Sequence, residues 1–114
     1  MAGPQLRVVD GHNDLPYAMR EVGYDFGATD IALAQPQLHT DLPRLRQGGM
    51  GAQFWSVFVP CSFVGPAAVT ATCEQIDAVY AMVERYADDL VLVTSADGLD
   101  AARTMAAWRR RGGG

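Results

Sequence analysis

The residues best able to do chemistry lie near the start of the chain, in the stretch VVDGHNDLP at residues 8–16. We predict a short apolar strand over residues 6–9. If that strand stays extended to Asp14, His12 and Asp14 point the same way, because side chains two residues apart share a face. An imidazole and a carboxylate at the carboxyl end of a strand form a ligand pair for a divalent metal, zinc above all, and barrel enzymes place their chemistry at such strand ends.

This pair also has a purely structural interpretation. In that case His12 hydrogen-bonds a nearby backbone group, and Asp14 caps the turn that follows. A zinc site needs three or four ligands, and the His-x-Asp triplet supplies two of them. The spacing alone favours the structural interpretation, so the metal hypothesis depends on what the rest of the chain contributes.

Three further side chains are candidates for a substrate pocket: Gln53, Trp55 and Tyr17. Alternation along the strand-like stretch AQFWSVFV at residues 52–59 places Gln53 and Trp55 on one face. The alternative for these two is an ordinary core strand whose indole finds one hydrogen bond. Tyr17 follows the metal pair in a segment that we predict to be a long loop, where a rim or lid role is open to it. His39 is interpreted as an exposed or capping histidine.

Composition limits the class of protein. The chain has 114 residues, of which 49% are hydrophobic and 19% are charged, as in a globular domain. The formal net charge of -4 argues against nucleic-acid binding, which needs a basic patch. All nine basic residues are arginine, so Schiff-base and P-loop lysine chemistry is excluded.

The sequence contains no feature that predicts export or a membrane span. No apolar run approaches the ~18 residues that indicate a membrane span. The first five residues lack the basic segment and apolar core of a secretory signal, and we interpret the chain as cytoplasmic. Cys61 and Cys73 are too few for a disulfide framework and are expected to be ordinary thiols.

The hydrophobic pattern predicts alternating strands and helices. Strands are predicted at residues 6–9, 52–59 and 90–93, with a long loop over residues 17–37 that has room for a helical turn. Helices are predicted to open at Thr40, at Thr72 through a capping box with Gln75, and at Asp97. The second of these should face the core with five residues at helical spacing: Ile76, Val79, Tyr80, Val83 and Tyr86.

This order of elements favours an α/β fold with a parallel sheet. Three parallel strands leave an open edge and uncovered apolar surface, because a parallel sheet is normally covered on both faces. We therefore predict that residues 1–114 form a single partial domain, the first βα units of a larger barrel-like fold, with a flexible tail over residues 109–114.

Four blocks of the sequence together resemble one family. DGHNDLP (residues 10–16), TDLPRLRQGG (40–49), GAQFWSVFVP (51–60) and TCEQID (72–77) are similar, in this order, to the opening of the membrane (renal-type) dipeptidases, peptidase family M19. The resemblance covers about residues 6–107. It implies an incomplete (β/α)8 TIM-like barrel of a metal-dependent hydrolase, of which this sequence is the N-terminal portion.

The resemblance also implies a site and a reaction. His12 and Asp14 would be ligands of one zinc ion in a two-zinc site that hydrolyses dipeptides, making the family metallopeptidases. A bridging glutamate and further histidines would come from later strands. The sequence stops before the block that carries that glutamate, and its two histidines are His12 and His39. We therefore expect dipeptides as the substrates of the complete enzyme and no activity from these 114 residues alone.

Two other hypotheses remain open. The chain could be a non-catalytic partial barrel that forms a homodimer, otherwise self-associates, or pairs with a complementary segment. It could also descend from another metal-dependent amide hydrolase with a barrel fold. Many of those open with His-x-His, so Asp14 favours the dipeptidase.

Overall fold

The computed structural model describes residues 8–110, with side chains through residue 103, and arranges them as a mixed α/β fold. The elements in chain order are β1 (Val8–Asn13), α1 (Leu15–Glu21), α2 (Leu42–Gln47), β2 (Met50–Trp55), α3 (Pro66–Arg85) and α4 (Ala96–Arg110). β1 and β2 pair in parallel, with register partners that run from Val8 and Met50 to Asn13 and Trp55. The predicted α/β class with parallel strands is therefore confirmed for the described part of the chain.

The turn between β1 and α1 differs from the prediction. β1 runs on past Val9 to Asn13, and Asp14 leaves the extended region, with φ -90° and ψ 23°, to become the N-cap of α1. The expectation of extended backbone through Asp14 is wrong. Pro16 lies in the first turn of the helix, where its missing N–H costs nothing. The predicted loop therefore begins with a helix, which forms because Leu15 and Met19 are buried on its inner side.

The core lies where α1, the irregular segment 22–41 and α3 meet. Its buried members are Leu15, Met19, Phe26, Ile31, Leu38, Leu42, Met82 and Tyr86. The phenol of Tyr86 accepts a hydrogen bond from the backbone N–H of Ile31 (3.2 Å) and donates one to the carboxylate of Asp30 (2.8 Å). Burial, followed by this hydrogen bond to Asp30, raises the pKa of Tyr86. These contacts join the irregular segment to α3.

Helix α3 begins earlier than predicted, and its predicted inward face is buried only in part. It starts at Pro66, and Thr72 lies inside it, where its hydroxyl donates to the carbonyl of Ala68 (2.8 Å); the predicted capping box is wrong. Its buried residues are Ala71, Gln75, Ala78 and Met82. Of the five residues predicted to face the core, Tyr86 is buried in it, Val79 and Val83 are half-buried, and Ile76 and Tyr80 are 40% and 57% exposed. Helical spacing alone does not distinguish two neighbouring apolar stripes, and the stripe with alanines allows the closer packing.

The third predicted strand is absent from the described residues. Residues 90–93 form no ladder, and Val91 and Leu92 are 66% and 43% exposed. An apolar run needs a hydrogen-bonding neighbour to become a strand, and this one has none. β2 ends at Trp55, short of the predicted residue 59.

Helix α4 forms where a last helix was predicted, but its cap is different. Ser95 Oγ, not Asp97, accepts the hydrogen bond from the N–H of Gly98 (3.0 Å). The bounds of α4 include the first two residues of the predicted 109–114 tail, and residues 111–114 lie outside the described part of the chain, as do residues 6 and 7 of the first predicted strand.

A buried carboxylate fixes the end of the irregular segment to α2. Asp41 is 1% exposed, and it, not the predicted Thr40, is the N-cap of this helix. Its Oδ1 accepts from the N–H of Arg44 (2.9 Å), and its Oδ2 accepts from the N–H of Gln35 (2.9 Å) and from Nε of Arg44 (2.8 Å). The Arg44 guanidinium also donates to the carbonyls of Gln35 (2.9 Å) and Leu38 (2.7 Å).

These contacts also determine the acidity of Asp41. Burial by itself raises the pKa of this carboxyl, but the hydrogen bonds from Gln35 and Arg44 outweigh burial, and the pKa lies below its ordinary value. A carboxyl whose pKa is lower in the folded state stabilises the fold above its unfolded-state pKa. That stabilisation is lost as the pH falls through the folded-state pKa.

We expect Asp41→Ala to lower the free energy of unfolding by about 2 kcal/mol near neutral pH, because the helix loses its cap and two N–H groups lose their acceptor. Urea unfolding near pH 7 and at about pH 3 measures this. The loss caused by the substitution should shrink at the lower pH. Asp41→Asn keeps an acceptor oxygen and serves as the control. If the difference in unfolding free energy between wild type and Asp41→Ala is the same at both pH values, the role given to the Asp41 charge is contradicted.

Candidate metal site

The predicted ligand pair does come together, at the junction of β1 and α1. His12 Nε2 lies 3.0 Å from Asp14 Oδ1, and the two side chains are 66% and 54% exposed. The pair does not form through strand alternation, because β1 ends at Asn13. It forms because the chain turns at Asp14 and brings the carboxylate back toward the imidazole of His12, near the end of β1.

The donor set fits part of a zinc site. A neutral imidazole nitrogen and a carboxylate oxygen are both zinc ligands, and these two side chains are accessible from solvent. Within residues 8–103 no group of three or more His, Cys, Asp or Glu side chains is arranged to hold a metal ion. His12 and Asp14 therefore fit as two ligands of a site whose other ligands would come from elsewhere.

The side chain between the two candidate ligands, Asn13, is held from several directions. Its Nδ2 donates to Thr40 Oγ1 (2.9 Å) and to Gln53 Oε1 (3.4 Å). Its Oδ1 accepts from the N–H of Leu15 (3.0 Å) and from the Thr40 hydroxyl (3.2 Å). These contacts join the end of β1 to the irregular segment and to β2.

Gln53, a predicted substrate-pocket residue, is turned toward β1. Its Nε2 donates to Asp10 Oδ2 (3.0 Å) and lies within hydrogen-bonding distance of the carbonyls of Asp10 and Phe54. Asp10 Oδ1 in turn accepts from the backbone N–H of His12 (3.4 Å). Asp10, Asn13, Thr40 and Gln53 thus form one polar cluster beneath the ligand pair, which we call the Asn13 network.

The other two pocket candidates lie against apolar neighbours. Trp55 is partly buried and packs against the hydrophobic core, in line with the core-strand alternative. The ring of Tyr17 meets the ring of Phe58 edge to face, with centroids 5.2 Å apart. His39 is exposed, as expected. A substrate role for Gln53, Trp55 and Tyr17 stays a prediction.

Sequence reasoning missed the supporting residues of this site. Asn13 lies 27 positions from Thr40 and 40 positions from Gln53, and no periodic pattern relates them. The available signal was the run of polar residues at the end of an apolar strand, which marks a strand end that needs hydrogen-bonding partners.

Comparison with known proteins agrees with the resemblance in the sequence. The profile of the family described as Membrane dipeptidase (Peptidase family M19) matches residues 4–108. The chain is 44% identical over 100 residues to Dipeptidase 3 of Rattus norvegicus and of Mus musculus, and 43% identical to Dipeptidase 3 of Homo sapiens. Each match covers 87% of this chain and 20% of the relative, so the chain spans about one fifth of the length of these relatives. Among the residues described, no helix is long and apolar enough to cross a membrane.

We expect Zn²⁺ added to the 114-residue chain to shift the imidazole NMR signals of His12 and to leave those of His39 near their original positions. The reason is that His12 has a carboxylate partner at 3.0 Å. Asp14→Asn should weaken the effect at His12, and His12→Ala should remove it. The two histidines are the full set in the sequence, so His39 is an internal reference. Equal shifts at both imidazoles would contradict a site at the pair.

Proposed function

Because the chain belongs to the membrane dipeptidase family, peptidase family M19, we propose that it supplies two ligands of one zinc ion in a dipeptidase. The complete enzyme would be a (β/α)8 barrel with two zinc ions, and its other ligands would come from segments outside this chain. The observation that carries the proposal is the 3.0 Å approach of His12 Nε2 to Asp14 Oδ1 at the carboxyl end of a parallel strand. That is the edge of a barrel where active sites lie.

The chemistry divides between the metal and the chain. Bound zinc supplies Lewis-acid polarisation of a peptide carbonyl and lowers the pKa of bound water. The His12 imidazole would contribute a neutral nitrogen, and the Asp14 carboxylate an anionic oxygen, which balances part of the metal's charge. Both side chains are more than half exposed, so a dipeptide can approach them from solvent.

We expect the 114-residue chain, supplied with Zn²⁺, to leave a simple dipeptide unhydrolysed. Two ligands do not complete a zinc site, and the described residues offer no third ligand. Release of free amino acids, followed by chromatography, measures this. Hydrolysis that His12→Ala abolishes would contradict the prediction, whereas hydrolysis that survives His12→Ala would indicate a contaminating peptidase.

A chimaera tests the proposed function itself. Residues 4–108 would replace the matching segment of an active, full-length member of the family. We expect the chimaera to hydrolyse dipeptides, and His12→Ala or Asp14→Ala within it to reduce kcat/KM at least ~100-fold, because losing a group that only hydrogen-bonds to a metal ligand already costs about 10–100-fold. His39→Ala is the matched control and should stay active. A folded chimaera whose activity survives His12→Ala would overturn the proposal.

Exposed apolar surface favours self-association as a second candidate property. Val9 and Phe54, on the two paired strands, are 61% and 65% exposed, and Val91 nearby is 66% exposed. An apolar cavity of about 580 Å³ opens between β2, residues 89–96 and α4. Sheet edges with exposed apolar side chains are sites of pairing between chains.

We expect sedimentation velocity to show a concentration-dependent increase in mass for the wild-type chain, because pairing would bury the apolar surface around β2. Phe54→Asp should shift the equilibrium toward monomer, since it places a charge on this surface. Tyr80→Asp, at a side chain 57% exposed on α3, is the matched control and should associate like wild type. A wild-type chain that stays monomeric at all concentrations would contradict self-association.

A further inference from the structure

We propose that Thr40 and Gln53, acting through Asn13, position His12 and Asp14 for a divalent cation. The inference rests on the proposed function, since it assigns the Asn13 network a role toward the same metal. Thr40 and Gln53 are here positioning residues and not ligands, and for Gln53 this role replaces direct contact with substrate.

The amide of Asn13 has no freedom left once its contacts are formed. A side-chain amide offers two N–H donors and two acceptor positions on its oxygen. Asn13 Nδ2 donates to Thr40 and Gln53, and its Oδ1 accepts from Thr40 and from the N–H of Leu15. With all four positions used, rotation of the amide would break several hydrogen bonds at once. The backbone of Asn13, between the two ligands, is therefore fixed.

Contacts lie on both sides of each ligand. On one side of His12, Asp10 Oδ1 accepts from the backbone N–H of His12, while Gln53 Nε2 donates to Asp10 Oδ2. On the far side of Asp14, the N–H of Leu15 donates to Asn13 Oδ1. The backbone from residue 10 to residue 15 is thereby held at both ends, with the two ligands inside the held segment.

Thr40 connects this segment to the hydrogen-bonded turn around Asp41. It is 7% exposed, and its neighbour Asp41 is buried and fixed by the backbone N–H of Gln35 and by Arg44. The hydroxyl of Thr40 is thus presented from a fixed backbone. The ligand side chains, in contrast, are more than half exposed and lose rotamer freedom only when they bind.

The metal affinity is therefore expected to depend on the buried supporting residues as well as on the two ligands. Groups that hydrogen-bond around ligands set the ligand geometry, and their loss typically lowers metal affinity about 10–100-fold. Thr40 is buried, uncharged and not one of the two ligands. A substitution there therefore changes neither the charge of the site nor the atoms that would bind the metal. An effect of Thr40 on zinc binding would therefore report positioning.

The experiment measures the Zn²⁺ dissociation constant of the full 114-residue chain from the His12 imidazole signals, with His39 as reference. Thr40→Val removes the hydroxyl at nearly constant volume, and we expect it to weaken Zn²⁺ binding roughly tenfold. Thr40→Ser restores the hydroxyl and should restore binding. Gln53→Leu removes the second partner of the Asn13 amide and should weaken binding in the same direction.

A control separates positioning from loss of stability. Tyr86→Phe removes the hydrogen bonds to Asp30 and Ile31 in the core and leaves the Asn13 network intact. It should lower the thermal unfolding midpoint and leave the Zn²⁺ dissociation constant unchanged. If Tyr86→Phe weakens Zn²⁺ binding as much as Thr40→Val, the network has only a structural role and the inference is overturned.

The outcomes also separate this inference from the proposed function. If wild type binds Zn²⁺ at His12, His12→Ala abolishes binding, and Thr40→Val binds like wild type, the positioning role is wrong and the ligand pair stands. If wild type shows no Zn²⁺ response at His12, the positioning role is overturned, whereas the proposed function is decided by the chimaera, in which the other ligands are present. Weaker binding in Thr40→Val, recovery in Thr40→Ser and no change in Tyr86→Phe would together establish the positioning role.

Discussion

The carboxylate of Asp41 is buried, with 1% of its surface exposed, and receives hydrogen bonds from the backbone of Gln35 and from the backbone and side chain of Arg44. A buried carboxylate without partners is strongly unfavourable, so this group and its partners form as a unit. Since Gln35 precedes the turn that enters α2 and Arg44 lies in the first turn of that helix, the unit fixes the turn. Thr40 precedes Asp41 in the chain, so the fixed turn also determines the position of Thr40. The end of β1 depends on Thr40, because Asn13 hydrogen-bonds to its hydroxyl.

The site is therefore built from three stretches of chain with different roles. β1 and the turn after it carry the exposed candidate ligands His12 and Asp14. The irregular segment supplies Thr40, and β2 supplies Gln53, through the parallel pairing of Asp10 with Gln53. The supporting side chains are buried or partly buried and hydrogen-bonded, while the two candidate ligands face solvent. This is the arrangement that a binding site requires, since its supporting groups must stay fixed when the ligands change partners.

The sequence predicted the features that depend on residues close together in the chain. His12 and Asp14 are two residues apart, so any compact turn keeps them close, and the pair formed even though the predicted extended backbone did not. Asn13 and Thr40 are 27 positions apart, and their contact depends on the path of the irregular segment, which carries no periodic signal. The apolar run at residues 90–93 was predicted as a strand on composition, yet strand formation also depends on a neighbour. On α3, spacing predicted a helix correctly but not which apolar stripe packs inward.

The incomplete ligand set and the exposed apolar side chains both lie on β1 and β2 or directly after β1. The candidate site lacks ligands beyond His12 and Asp14 within the described residues, and the strands beside it leave Val9 and Phe54 exposed. A strand added in parallel beside β2, with the crossover helix that a parallel connection requires, would cover Phe54. Because the carboxyl ends of parallel strands lie at one edge of a sheet, it would also end on the side where His12 and Asp14 stand. The chain covers one fifth of the length of its relatives, so the remaining four fifths of such a protein hold enough sequence for cover and ligands alike. The addition of one such strand and helix would then cover apolar surface on β2 and bring a further strand end to the half-site.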